Sequence, residues 1–139
     1  MSSSGRPIQR FTLRANERLK LRKQIETLFW KGEAFSVFPI KVIYFLQRIP
    51  DDQASKALTG FSVPKRKIKH AVKRNRIRRI LREAWRLNKA ELYETIPPGM
   101  QLHCFLIFIG NQPLPLDKAQ ETIKKITAQF SKKLRQPSA

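Results

Sequence analysis

The side chains best suited to chemistry in this 139-residue chain are cationic, and they cluster between Lys65 and Arg86. This stretch carries eleven Lys or Arg residues and a single acid, Glu83. Cations at such density repel one another unless a polyanion neutralises them. The guanidinium group of Arg can also grip a phosphate with two parallel hydrogen bonds. The stretch therefore predicts binding to the phosphate backbone of a nucleic acid.

From Arg74 onward this stretch has the periodicity of an amphipathic helix. One side gathers the apolar residues Ile77, Ile80, Leu81, Ala84, Trp85 and Leu87. The opposite arc carries Asn75, Arg78, Arg79, Arg82 and Arg86. A solvated helix face is the alternative interpretation, but such faces usually alternate the sign of charge to form ion pairs four residues apart. Because this arc hardly alternates, we interpret it as a nucleic-acid-binding face.

The other reactive side chains do not suggest a catalytic site within the protein. Metal-dependent cleavage of a phosphodiester needs carboxylates that converge on one or two Mg²⁺ ions, whereas only Asp51 and Asp52 are adjacent among the ten acids. His103 and Cys104 are neighbours in a predicted strand, so their side chains point to opposite faces and cannot form a base and nucleophile pair. One Cys and two His give no zinc-binding spacing. We expect no catalytic residue and no metal bound by the protein alone.

The composition is that of one folded, strongly basic domain. The formal charge is +19 and the pI is near 11.0, yet 41% of the residues are hydrophobic and nine are Phe, too many for a solvated tail. The lone Cys104 has no partner for a disulfide within the chain, which favours a reducing compartment. The N-terminus lacks a signal-like apolar run, and the longest later run, Cys104 to Ile109, is too short to cross a bilayer. We therefore expect a cytoplasmic protein.

Hydrophobic periodicity predicts the elements that precede the basic helix. A first helix is predicted from about Arg18 to Trp30, because Leu21, Ile25, Leu28 and Phe29 fall at helical spacing. Lys31 and Gly32 then end it with a cation and a glycine. Alternation predicts strand structure in Phe35 to Arg48 and again in Ala57 to Val63.

After the basic helix, Gln101 to Ile109 is apolar on both alternating faces, which is typical of a strand in the middle of a sheet. A last helix is predicted from the N-cap residue Asp117 onward. Together the elements predict an α/β (α+β) two-layer sandwich, with a sheet of about four strands packed with three helices in the order αβββαβα. We expect a single RNA-binding domain over residues 17–135, a flexible basic arm at 1–16 and a tail at 136–139.

The basic stretch and the strand before it resemble the signature of the bacterial ribonuclease P protein component. The resemblance rests on Gly60–Arg66 (GFSVPKR) followed by Ala71–Arg86, whose most specific part is the triplet Arg74-Asn75-Arg76. Leu28–Gly32 matches the opening helix of the family, and Lys41–Phe45 matches its following strand. The resemblance extends over about residues 11–135 of the chain.

This resemblance implies an RNA-binding subunit of a ribonucleoprotein that removes the 5′ leader from precursor tRNA. The protein is then part of an endoribonuclease, while the large RNA carries the catalytic centre and its Mg²⁺ ions. The implied partners are the catalytic RNA and the single-stranded leader, with no membrane and no small-molecule substrate. The resemblance also implies a left-handed strand–helix–strand crossover, although about 98% of such crossovers are right-handed.

Residue by residue, the resemblance assigns two binding surfaces. The catalytic RNA is expected to contact Lys65, Arg66, Lys67, Lys69, Lys73, Arg74, Asn75, Arg76, Arg78, Arg79, Arg82 and Arg86. The leader is expected to enter a groove between the first helix and the sheet, lined by Ile25, Phe29 and Tyr44. Bases of single-stranded RNA stack on aromatic side chains with about 1–3 kcal/mol each. The alternative for each of these side chains is a place in the hydrophobic core.

Two other functions also explain the charge. A ribosomal or other structural RNA-binding protein would bind RNA without any effect on tRNA cleavage. A basic DNA-binding domain of the helix-turn-helix type needs a second short helix directly before the recognition helix, whereas Phe61 to Pro64 is predicted as the end of a strand.

Overall fold

The computed structural model describes residues 22–48 and 56–135. In these ranges the chain forms three helices and four strands in the predicted order αβββαβα. The helices are α1 (Arg22–Lys31), α2 (Ala71–Thr95) and α3 (Leu116–Arg135), and the strands are β1 (Glu33–Val37), β2 (Ile40–Arg48), β3 (Ala57–Ser62) and β4 (Met100–Phe108). The predicted arm at 1–16, the start of the first helix, the acidic pair at 51–52 and the tail at 136–139 lie outside the described residues.

The four strands form one mixed sheet in the order β1-β2-β4-β3. Strand β2 is antiparallel to both β1 and β4, whereas β3 and β4 are parallel and are connected through α2. The central position predicted for β4 is confirmed, because this strand pairs on both sides and buries most of its residues on both faces. The left-handed sense of the β3-α2-β4 crossover stays a prediction from the resemblance.

The predicted strand run from Phe35 to Arg48 is two strands joined by a tight turn. Phe38 and Pro39 form the turn, with a cis peptide bond between them, and Val37 and Ile40 are opposite each other on either side. Proline lacks the N–H that continues a strand ladder, so β1 ends before this position and β2 begins after it.

The main hydrophobic core lies between the sheet and the pair of helices α2 and α3. Strand residues Ile40 and Val42 are buried there together with Trp85 of α2 and Phe130 of α3. Leu87, which we placed on the apolar side of α2, is 38% exposed. Two positions after the buried Trp85, it has rotated by about 200° around the helix, and this carries it away from the core.

The opposite face of the sheet carries one described helix, α1. Leu28 is fully buried there against a smaller cluster with Ile43 and Leu58. Gly32 follows the last residue of the helix, where the backbone lies so close to the sheet that no side chain fits. An added Cβ would clash with the Leu28 carbonyl and lie 2.9 Å from Ile43 Cγ2. The helix therefore sits directly on the sheet and leaves the rest of this face without a covering helix in the described ranges. None of the helices within residues 22–48 and 56–135 combines the length and the apolarity that a membrane span requires.

Candidate nucleic-acid interface

The basic side chains predicted to bind nucleic acid lie on one side of α2 and on the loop that leads into it. Residues 64–70, called the basic loop below, place Lys65, Arg66, Lys67 and Lys69 in solvent. On α2, Lys73, Asn75, Arg76 and Arg79 are exposed, and Arg74, Arg78, Arg82 and Arg86 are half-buried. The apolar side of α2 is fixed in the core, so these cations are held at helical spacing on the surface.

Arg74 ties the basic loop to α2. Its Nη1 donates hydrogen bonds to the carbonyl oxygens of Ile68 and Lys69, at 3.0 and 2.8 Å. The loop is also closed by a turn in which the Pro64 carbonyl accepts from the N–H groups of Lys67 and Ile68, and Ile68 is buried. The sequence does not predict the backbone path of this loop. These contacts fix it and point the lysines outward.

Asn75, the middle residue of the triplet, positions an arginine. Its Oδ1 accepts a hydrogen bond from Nη1 of Arg78 at 2.9 Å. This hydrogen bond is open to solvent although Arg78 itself is half-buried, so the guanidinium keeps further donors available for a phosphate. Arg76, the third member, is itself exposed. Within the triplet, Arg74 therefore holds the loop, Asn75 positions Arg78, and Arg76 is open to solvent.

We call the side of α2 that carries Asn75, Arg78, Arg79, Arg82 and Arg86 the α2 basic arc. Toward its C-terminal end, two arginines have contacts within the protein. The guanidinium of Arg82 lies over the ring of Phe61 in β3, 5.9 Å from its centroid. Arg86 forms an ion pair with Glu83, and its Nε donates to Oε1 at 3.0 Å. The hydrogen bond from Arg86 lowers the pKa of Glu83, so this carboxylate stays charged and offsets part of the positive field there. The strongest uncompensated field is therefore at the basic loop and the first turns of α2.

A second candidate surface lies on the α1 side of the sheet. Phe29 is 51% exposed, and its ring meets Phe105 edge to face with centroids 5.8 Å apart. Phe45 is partly buried in the same cluster, and Ile25 packs there as well. We call Phe29, Phe45 and Phe105 the α1-side aromatic surface. It presents ring area suited to stacking with nucleotide bases.

Tyr44 does not belong to this surface, which corrects the sequence-based expectation. It is 7% exposed and packs edge to face on Phe35 and Phe130, in the core beneath α3. Successive side chains of a strand point to opposite faces, so Tyr44 lies on the side of the sheet away from Phe29. Burial raises the pKa of Tyr44, with nearby Glu33, which accepts from its hydroxyl at 3.4 Å, as the smaller cause.

Sequence reasoning missed Phe45 and Phe105 as members of this surface. The alternation in β2 and β4 separated the two faces correctly, but the face on which α1 packs was not apparent from periodicity. Trp30, at the end of α1, is 87% exposed and was likewise not singled out.

The side chains considered for intrinsic catalysis are placed as follows. Cys104 is fully buried, and this burial raises its pKa to about 12, so its thiol is not a nucleophile near neutral pH. His103 points to the other face, where its Nε2 lies 2.9 Å from Gln101 Oε1. Across residues 22–48 and 56–135, no three His, Cys, Asp or Glu side chains are grouped so as to hold a metal ion.

Comparison with known proteins identifies the family. The sequence profile of ribonuclease P matches residues 13–134. The chain belongs to the ribonuclease P protein family. A ribonuclease P protein component of Porphyromonas gingivalis is 43% identical over 99 residues, which are 71% of this chain and 70% of that protein. One from Chlorobium phaeobacteroides is 30% identical over 110 residues, covering 73% and 74% of the two chains.

Solved ribonuclease P proteins share the fold. The protein from Staphylococcus aureus superposes with a TM-score of 0.61 at 18% identity, over 84% of this chain and 95% of that one. The Thermotoga maritima protein, in a complex with 1-(4-fluorophenyl)-2-thiourea, gives 0.60 at 21% identity over 79% and 96%. Membership of the ribonuclease P family confirms the resemblance found in the basic loop and the triplet helix, and it makes the chain a component of an endoribonuclease.

Proposed function

We propose that this chain is the protein subunit of a ribonuclease P ribonucleoprotein and assists removal of the 5′ leader from precursor tRNA. The catalytic RNA performs the cleavage with its own Mg²⁺ ions, and the protein supplies binding. Family membership supports the subunit role. The observation that carries the binding role is the α2 basic arc, continued by a basic loop that Arg74 holds in place.

In this proposal the basic loop and the first turns of α2 bind the backbone of the catalytic RNA. Their exposed cations neutralise closely spaced phosphates and release the counterions held there. Arg76 and Arg79 are exposed and lie on a helix that is anchored in the core, so binding has to order only their side chains and not the backbone. Because the protein neutralises part of the phosphate charge, the folded RNA requires less Mg²⁺ and less monovalent salt.

The leader of the precursor binds the α1-side aromatic surface. Phe29 offers half of its surface to solvent, and Phe105 supports its ring from the side. Stacking on such rings tolerates any base, because every base has a π-face. A leader whose sequence differs from one tRNA to the next can therefore be held at one site.

Reconstitution with the cognate catalytic RNA tests the proposal. We expect addition of the protein at physiological salt to increase the rate of 5′-leader removal and to lower the Mg²⁺ concentration at half-maximal rate. The double variant Arg76→Gln with Arg79→Gln, both exposed positions, should need more Mg²⁺ than the unmodified protein. Absence of any effect of the unmodified protein on cleavage, together with binding to ribosomal RNA, would support a structural ribosomal role instead.

A further inference from the structure

A row of lysines on α3 lies outside both surfaces described above. Lys118, Lys125 and Lys132 are seven residues apart and all exposed. Seven residues are close to two full helical turns, so the three side chains project in nearly the same direction, about 10.5 Å apart along the axis. The buried residues Ala119, Ile123, Ile126 and Phe130 lie on another side of the helix, about 100° or more around the axis from the row.

One acid accompanies the row, because Glu121 lies three residues after Lys118 and four before Lys125 on the same side of the helix. No carboxylate in the described part of the chain lies within 4.0 Å of the three amino groups, however, and a single acid leaves most of the charge of the row uncompensated. Cations at the end of a helix are stabilised by its dipole, which suits Lys132. Lys118 lies in the first turn, where the same dipole disfavours a cation.

The position of α3 in the fold decides which polyanion fits the row. Helices α2 and α3 pack side by side on one face of the sheet, as the shared core of Trp85, Ile126 and Phe130 shows. The row therefore belongs to the same helical layer as the α2 basic arc, and the α1-side aromatic surface lies on the other face. A folded RNA resting on α2 can extend onto α3, whereas a leader bound beside α1 is separated from α3 by the sheet.

We propose that the α3 lysine row, Lys118, Lys125 and Lys132, is a second phosphate-binding surface for the catalytic RNA. This inference rests on the proposed function, since it assumes that the α2 basic arc faces that RNA. The row extends the contact beyond the loop and the triplet helix and adds phosphate contacts without base recognition, because ammonium groups on flexible stems act as point charges.

The salt dependence of affinity for the cognate catalytic RNA tests this proposal. The triple variant Lys118→Gln, Lys125→Gln, Lys132→Gln should flatten the log–log slope of affinity against salt by about two to three units, at about 0.7–0.9 per lost contact. The control variant Lys31→Gln, Arg48→Gln, Lys56→Gln removes the same charge from exposed positions outside the α2–α3 layer. Equal slopes for the two triple variants would overturn the proposal, because net charge alone would then explain the change.

A directed footprint locates the RNA independently. Cys104 is fully buried, so a hydroxyl-radical probe will attach selectively to a cysteine introduced as Lys125→Cys. We expect strand cleavage of the bound catalytic RNA from this position and none from Lys31→Cys. If the unmodified protein fails to bind the catalytic RNA, the proposed function itself fails. If Arg78→Gln flattens the slope but the α3 variants change neither slope nor footprint, only the α3 proposal is wrong.

Discussion

Arg74 has contacts inside the protein in addition to the RNA contact that we propose for it. Its two hydrogen bonds to loop carbonyls involve a charged donor, a type that stabilises by about 1.5–3 kcal/mol when shielded from water. Because Arg74 is half-buried, we expect Arg74→Gln to lower the free energy of unfolding by about 1 kcal/mol. Arg76→Gln, at an exposed position two residues away, should change it by less than about 0.5 kcal/mol. Urea denaturation measures both, and equal losses would contradict a structural role for Arg74.

His103 makes stability depend on pH. Burial lowers its pKa below the usual 6.5, so the unfolded chain takes up a proton at a higher pH than the folded protein does. The contribution of His103 to the free energy of unfolding is fully present above pH 6.5, the unfolded-state pKa. It decreases as the pH falls from 6.5 through the lower folded-state pKa. We expect the urea midpoint to fall between about pH 7.5 and pH 5, and to fall less in His103→Gln. The same decrease in both proteins would assign the effect to other groups.

At the scale of the strand, we expect substitutions of two neighbouring residues of β2 to have different effects, one on stability and the other on binding. Tyr44→Ala removes a buried ring from the core under α3 and should destabilise by about 3–5 kcal/mol. Tyr44→Phe keeps the ring and loses only the bond to Glu33, so it serves as the control. Phe45→Ala should instead weaken binding of precursor tRNA while the affinity for mature tRNA is retained. If Tyr44→Phe alone weakened leader binding in a stable protein, the face assignment would be wrong.

The same strand shows what periodicity can and cannot predict. Alternation correctly separated Tyr44 from Phe45, and the apolar run of β4 correctly indicated a central strand. Periodicity does not tell which face of a sheet receives a short helix, because both faces of β2 are apolar. The side of the sheet that α1 covers is set by long-range packing of Leu28 on Ile43 and Leu58.

The basic elements were more predictable than the contacts within them. Eleven cations in one stretch indicated a polyanion partner from sequence alone, and the chain order of helices and strands followed from hydrophobic patterns. The bonds from Arg74 to the loop and the Glu83–Arg86 pair depend on backbone geometry and rotamers that a pattern does not contain. The turn at Phe38–Pro39 could have been predicted, because a proline within a strand run favours an interruption of the strand.

At the scale of the whole molecule, the sheet separates the two surfaces that we propose to act in one reaction. The α2 basic arc lies on a helix that packs in the main core, whereas the α1-side aromatic surface is built around the smaller cluster on the other face of the sheet. The sheet therefore lies between the side chains of the two surfaces. Energies of distant, independent sites add within about 0.3–0.5 kcal/mol.

This separation predicts additive effects on cleavage of precursor tRNA by the reconstituted holoenzyme. Phe29→Ala should reduce kcat/KM for a precursor with a long leader by about 5-fold to 150-fold, equivalent to about 1–3 kcal/mol for one stacked base, and should leave affinity for the catalytic RNA unchanged. Arg79→Gln should weaken assembly with that RNA, most strongly at low salt, where a phosphate contact contributes most. At protein concentrations that saturate the RNA, the double variant should cleave like Phe29→Ala alone. A double variant much slower than this under saturating conditions would show that the two faces are coupled through the sheet, and the division of labour between them would have to be abandoned.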